Sequence, residues 1–187
     1  MARKRVIHLG CGQAFDPRFK KAEDIEYIAN DIAELPGINW AFDLNKLPWA
    51  FGSCSTDYIL AVDILEHLTN PKLILEKIYR LLKPCGVVEI QVPYFGSLAH
   101  ANDMTHVHGF TPNSFVFYIP GHPYCNSSPW YSYARIKLNK LQIDNQPLQS
   151  YVLEKDLKRK ILNHEIVGNI QIVLTTIKLC WWGLCSM

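Results

Sequence analysis

The 187-residue chain has six cysteines but no C-x-x-C pair, so its spacing offers neither a zinc knuckle nor a disulfide framework. It also has little net charge. Nineteen Lys and Arg against 17 Asp and Glu leave a formal +2, too small for a basic face that would imply a nucleic-acid or membrane partner. No apolar stretch of signal-peptide length lies between the basic start Arg3-Lys4-Arg5 and the first apolar run, which points to a cytoplasmic protein. Internal repeats and low-complexity tracts are missing too. What is present is an ordinary globular composition, 49% apolar, with a length suited to one core and therefore to a single domain spanning 1–187.

The first apolar run, Val6-Ile7-His8-Leu9, ends in Gly10-Cys11-Gly12. A strand that runs into a glycine turn brings backbone N–H groups close to a ligand, because Gly accepts the positive φ such a turn needs. A second apolar run, Ile25 to Asn30, ends at Asp31, about 20 residues on, where a carboxylate would hold a ribose diol. The other reading of Asp31 is a cap for a helix at 32–35. A dinucleotide fingerprint would want a third Gly at position 15, which is Phe, so a nicotinamide oxidoreductase is disfavoured.

Alternating strand and helix signals follow, the pattern of a parallel sheet covered on both faces. The clearest helix is 70–83: Asn70 caps it, Pro71 suits its first position, Leu73, Ile74, Ile78, Leu81 and Leu82 form one stripe, Lys83 complements its negative end and Pro84 stops it. The run 87–92 then reads as a buried strand. A His- and Pro-rich loop, a short helix beginning near Thr111, a strand over the aromatic stretch 131–143, a charged helix at 154–162 and a final strand at 165–178 complete the pattern.

The order of these segments resembles class I S-adenosylmethionine-dependent methyltransferases over roughly residues 5–95. Val6 to Gly12 looks like the first motif, Phe42-Asp43-Leu44 like the adenine-contacting segment, Asp57 to Leu68 like the fourth strand and active-site exit, and Leu81-Leu82-Lys83-Pro84-Cys85-Gly86 like the "LLKPGG" turn. The resemblance implies an α/β, Rossmann-like doubly wound sheet, mostly parallel with an antiparallel last strand and helices on both faces. It implies S-adenosylmethionine as cofactor, S-adenosylhomocysteine as product, and Gly10, Cys11, Gly12, Asp31, Asp43, Leu44 and Asp63 as cofactor-binding residues. Asp43 has a second reading, as the start of a turn through Lys46. The cofactor half would end near residue 93, leaving acceptor-side loops and the last strands to 94–187.

Two departures stand out: His8 occupies a place the family usually gives to an acid, and Ala14 one it often gives to Gly. They keep open a methyltransferase-like binding module that acts without turnover. Only about six residues, 32–37, separate the second and third strands, so the intervening helix is lost or the third strand is irregular.

The loop His100 to His108 resembles the "D-P-T-H" loop of a subgroup, with Met104 in place of Pro, and makes His106 the expected base or acceptor-orienting group. Asp63, Glu66 and His67, at i, i+3 and i+4, share a face if helical, and His106 or His108 could add a ligand for a divalent metal. This resembles the E-x-x-E-H motif of small-RNA 2′-O-methyltransferases, so a metal-dependent RNA enzyme is a further alternative, with no metal the leading expectation. Asn/Asp-Pro-Pro-Tyr is absent after the fourth strand, against base-amine methylation. Pro84-Cys85 reads as structural. The expected acceptor is an oxygen or nitrogen on a small molecule or glycan precursor. The aromatic residues Phe115, Phe117, Tyr118, Tyr124, Trp130, Tyr131 and Tyr133 either pack in the core, the favoured reading, or line its pocket. The apolar end 179–185, with two Trp, packs on the domain, docks a partner or makes weak membrane-interface contact; oligomeric state is not legible.

Overall fold

A computed structural model describes residues 3–143, 146–147 and 169–176. Val6, Ile7, His8 and Leu9 are consecutive and all buried, as a strand covered on both faces must be. They belong to β1 (Lys4–Leu9), which pairs in parallel with β2 (Ile25–Asp31) on one side and β4 (Thr56–Val62) on the other; Ile7 lies opposite both Ile28 and Ile59. β3 (Trp40–Ala41) continues the sheet beyond β2, and β5 (Leu82–Pro93) beyond β4, again in parallel. Next comes β8 (Asn169–Thr176), antiparallel to β5, then β6 (Ile136–Ile143) and β7 (Gln146–Pro147). The order β3-β2-β1-β4-β5-β8-β6-β7 is a Rossmann-like doubly wound sheet in which β8, the last strand among the described residues, runs antiparallel to β5. The chain reverses its direction of travel across the sheet between β1 and β4, and open α/β sheets bind ligands outside the carboxyl ends of their strands at such a reversal.

One face of the sheet is covered by α2 (Pro71–Leu81). The Asn70 side chain accepts the Leu73 N–H at 3.0 Å, Pro71 opens the helix, and Ile74, Leu75, Ile78 and Leu81 bury one stripe, each contributing about 1.5–3 kcal/mol of hydrophobic burial. These residues belong to the same core as Ile59, Ala61, Val88 and Ile90 of the central strands. On the other face the single turn α1 (Pro17–Lys20) sets Phe19 against Tyr58, ring centroids 5.0 Å apart. Its Arg18 reaches Glu89 at 3.0 Å, and Glu89 also accepts the Tyr58 hydroxyl at 2.7 Å.

The structure shifts several expected boundaries. The α2 helix stops at Leu81 rather than residue 83, because Leu82 is already extended (φ −64°, ψ 137°) and opens β5. β5 is therefore longer than 87–92. Thr56 faces Leu82 whereas Tyr58 faces Val87, so 83–86 bulge out of the ladder, with Cys85 at φ +62° and a Cβ on Gly86 only 2.9 Å from the Lys83 carbonyl oxygen. Lys83, expected to complement the helix end, instead lies 2.7 Å from the Asp57 carboxylate. β6 starts at Ile136, later than the aromatic stretch suggested.

No helix joins β2 to β3. The Asn39 side chain stands in for a ladder partner: its Oδ1 accepts the Ala29 N–H at 2.7 Å and its Nδ2 donates to the Tyr27 carbonyl at 3.0 Å. The third strand is thereby reduced to two residues, closed by Trp40 stacked on Phe42 and edge-on to Trp49 and Phe51. Phe115 and Tyr118, from the 3-10 turn Pro112–Tyr118, are fully buried, whereas Trp130 is 80% exposed. The expected helix at 154–162, the outer parts of the expected strand at 165–178 and the apolar end at 179–185 lie outside the described residues. Among those described, no helix is long and apolar enough to cross a membrane.

Candidate functional site

The loop after β1 is a glycine turn for two different reasons. Gly10 has φ +57°, and a Cβ there would sit 2.4 Å from Cδ1 of Ile64, so its backbone packs directly on the loop after β4. Gly12 has φ +50°, but a Cβ there would meet no atom within 4 Å, because it borders open space at the carboxyl edge.

Two residues at the end of β2 hold this turn. Asn30 is fully buried: its Oδ1 accepts the Gly10 N–H at 3.2 Å, its carbonyl accepts the Cys11 N–H at 2.8 Å, and its Nδ2 donates to the Trp40 and Phe42 carbonyls at 2.9 and 3.1 Å. Asp31 accepts the Gly12 N–H at 2.8 Å on Oδ2 and the Ala33 N–H at 3.0 Å on Oδ1. The cap reading of Asp31 thus has one bond to show but no helix behind it. The Cys11 thiol is buried and pushed up to about 11, by its burial first and then by the neighbouring Asp31 charge, so it stays neutral.

The Phe42 N–H donates to the Asp31 carbonyl at 2.8 Å, which brings the segment 42–44 to the same edge. Asp43 there accepts the Asn45 N–H at 3.0 Å, and its carbonyl accepts the Lys46 N–H at 2.9 Å, so it does build the turn. Leu44 is a core residue, with its carbonyl accepting the Trp49 indole N–H at 3.2 Å.

Beneath the glycine turn His8 is 4% exposed, with Nδ1 2.7 Å from the Tyr27 hydroxyl, which itself accepts the Asp16 N–H at 3.2 Å. Burial lowers His8 to about 4, against the smaller pull of Asp16, so this position carries a neutral ring at neutral pH.

The exit from β4 forms the second half of the site. Asp63 takes φ +48°; its N–H donates to the Gln91 carbonyl at 2.9 Å, and its carboxylate accepts the Gln91 side-chain amide at 3.0 Å. The expected helical face of Asp63, Glu66 and His67 does not form, since only Leu65–His67 make a single 3-10 turn. Glu66 is fully buried, and neither carboxylate oxygen has a hydrogen-bond partner among the described residues. Its burial pushes it up to about 7, with Asp63 and Asp103 adding to the shift.

The His loop closes over this turn. Its base is fastened by the Phe95 N–H to the Phe110 carbonyl at 2.8 Å, and its far side by the N–H groups of Val107 and His108, which both donate to the Glu66 carbonyl at 2.9 and 3.2 Å. His106 Nδ1 lies 3.0 Å from the His100 carbonyl, and Nε2 lies 3.9 Å from Glu66 Oε1. His67 and His106 rings meet edge-on at 4.7 Å. Phe95, Leu98, Met104 and Val107 are exposed along the loop.

The turn at Gly10–Gly12, Asp31 and the exit at Asp63–His67 are thus one continuous rim, joined through the Gly10–Ile64 contact and overhung by His106. Sequence reasoning missed Asn30, whose only signal was an amide inside an apolar run. It gave no role to Asp103 and Thr105, which stand just before His106 in the same loop motif.

A doubly wound sheet with a glycine turn after β1, an acid after β2 and a site at the β1/β4 reversal defines the class I methyltransferase fold. The family model described as "Methyltransferase domain" matches residues 2–126, and the chain belongs to that family, whose donor is S-adenosylmethionine. Among solved structures, an S-adenosylmethionine-dependent methyltransferase from Archaeoglobus fulgidus matches at TM-score 0.61 and 19% identity, over 93% of this chain and 86% of that one. A chain from the complex between the Haloferax volcanii Trm112 methyltransferase activator and a methyltransferase matches at 0.59 and 14%, over 95% and 85%. An S-adenosylmethionine-dependent methyltransferase from Mesorhizobium loti matches at 0.56 and 10%, over 93% and 91%. No curated protein sequence matches the chain.

Proposed function

We propose that this domain transfers a methyl group from S-adenosylmethionine to an oxygen or nitrogen of a small-molecule or glycan-type acceptor, acting as one domain with its cofactor half in 1–93. The observation that carries the reading is the rim itself: a glycine turn bordering open space, held by an acid that keeps acceptor capacity. Each Asp31 oxygen uses one lone pair on a backbone N–H and has a second for a ribose hydroxyl. Gly10, Cys11 and Gly12 line the donor's backbone side, Asp43 and Leu44 flank the adenine end, and Asp63 stands at the methionine end.

The bound donor supplies an electrophilic methyl on a positively charged sulfur. The chain's part is to align the acceptor behind that methyl and to exclude water. The fixed Nδ1 contact of His106 to the His100 carbonyl leaves Nε2 to orient the acceptor or take its proton, with Glu66 and Asp103 oxygens 3.9 and 3.8 Å away to balance the resulting charge.

Calorimetric titration with S-adenosylmethionine and S-adenosylhomocysteine tests the reading. Micromolar binding of both is expected, with Asp31→Ala weakening both by about 10-fold or more, the equivalent of about 1.4 kcal/mol or more for lost ribose contacts. No binding by the folded wild-type protein would refute it.

A further inference from the structure

We propose that Glu66, His67 and His106 form a binding site for one divalent transition-metal ion, and that the acceptor docks on it through a hydroxyl oxygen. The acceptor part rests on the proposed methyl transfer; the metal part does not.

One ligand atom from each of the three residues lies within 4.8 Å of the other two. Two features make this more than proximity. First, the fully buried Glu66 carboxylate has no hydrogen-bond partner among the described residues. Buried polar groups are rarely left so, and the nearest candidate, His106 Nε2 at 3.9 Å, is beyond hydrogen-bond reach. The gap is too wide for a shared proton, and an ion with bonds of about 2.0–2.2 Å would draw the two groups together by about half an ångström.

Second, both rings are held with Nε2 bare. The His100 carbonyl only accepts, so His106 Nδ1 carries the hydrogen and Nε2 keeps its lone pair. The Thr105 hydroxyl donates to Asp103 Oδ1 at 2.6 Å, so toward His67 Nδ1, 2.9 Å away, it can only accept; His67 Nδ1 therefore carries the hydrogen too. A carboxylate, a hydroxyl and a carbonyl that fix ring tautomers in this way are the outer contacts typical of metal-ligating histidines.

Asp63 is not part of the set, since its carboxylate is engaged by Gln91 and Asn169 at 3.0 and 3.4 Å. Two imidazoles and one carboxylate suit zinc, manganese or cobalt better than calcium or magnesium, and three protein ligands leave positions open for another oxygen. With its Nε2 on the ion, His106 orients the acceptor through the metal rather than taking its proton, and an acceptor hydroxyl bound there loses its proton to water more readily. As the oxygen–methyl bond forms, the sulfur–methyl bond breaks, its electron pair stays on sulfur, and the donor leaves as the neutral thioether.

The test is equilibrium titration of the chelator-stripped full chain with Zn2+, and with Co2+ read by its visible absorption. One ion per chain is expected, with Glu66→Gln and His67→Ala each weakening it at least 10-fold, and Thr105→Val weakening it about 10-fold by freeing the His67 ring. Wild-type far-UV circular dichroism and a cooperative thermal transition in these variants would show that they fold. No ion bound at about 100 μM, or an ion indifferent to the three substitutions, overturns the site. Binding of S-adenosylhomocysteine without metal fails this inference alone, and binding of metal without S-adenosylhomocysteine fails the cofactor reading alone.

Discussion

Acidification should destabilise this protein through His8 more than through any exposed group. In the unfolded chain His8 takes a proton near its ordinary 6.5; in the fold it resists protonation to about 4, because a charged ring has been taken out of water under the glycine turn. The unfolded state therefore binds more protons than the native state between these values, and stability falls as pH drops through that window. Above about 6.5 the contribution vanishes, and below about 4 it levels off. A shift of about 2.5 units amounts to about 3 kcal/mol in full, of which about 2 kcal/mol is lost between pH 7 and pH 5. For a chain of this length that is a drop in Tm of about 4–8 °C relative to a variant without the ring. The comparison is needed because Glu66, raised to about 7 by burial, gains stability as pH falls through the same window in both proteins. The charged groups acting on His8 are Asp16, Arg18 and Glu89, none of which changes in a His8→Gln variant. The assay is urea unfolding of wild type and variant at both pH values, with ring NMR titration of His8. The wild type should lose about 2 kcal/mol relative to the variant. Parallel pH profiles, or a His8 that titrates near 6.5 in the native protein, would refute the reasoning.

Two substitutions probe the turn. Gly10→Ala combines a left-handed backbone with a clash on Ile64, and should cost about 2–4 kcal/mol in denaturant unfolding while weakening S-adenosylhomocysteine binding; a change under about 1 kcal/mol would mean that Ile64 moves aside freely. Asn30→Ala strands the Gly10 N–H and the Trp40 and Phe42 carbonyls in a buried place, so it should cost about 2–4 kcal/mol, and normal stability would show that water replaces the amide.

The parts of the fold that could be read from sequence were those set by local chemistry. Asn70-Pro71 and an apolar stripe specify the start and buried face of α2, and the start is observed, while the buried face keeps Ile74, Ile78 and Leu81 but takes Leu75 in place of the expected Leu73. Its end was misplaced because Leu81 and Leu82 are equally apolar: what separates them is the pairing of Leu82 with Thr56, a contact between distant residues. The sheet order follows from the family motifs, but the Asn39 side chain that takes the place of a crossover helix has no sequence signature. In the site, Gly10, Gly12 and Asp31 are legible because each ends a strand run. Which carboxylate faces the histidines is not, since the spacing of Asp63, Glu66 and His67 suggested a shared helical face. The left-handed backbone at Asp63 breaks that helix and leaves Glu66 alone inside.

The two outermost strands described, β3 and β7, are two residues long, and β7 includes Pro147, which has no N–H to offer. Among the described residues β3 covers only Asn30 and Asp31 of β2, and β7 only Gln142 and Ile143 of β6, so what a neighbouring molecule would meet at the β7 rim is chiefly β6. At the other rim the short β3 and the Asn39 side chain, which occupies the Ala29 N–H and the Tyr27 carbonyl, leave little of β2 to extend and so guard that edge against strand-by-strand growth.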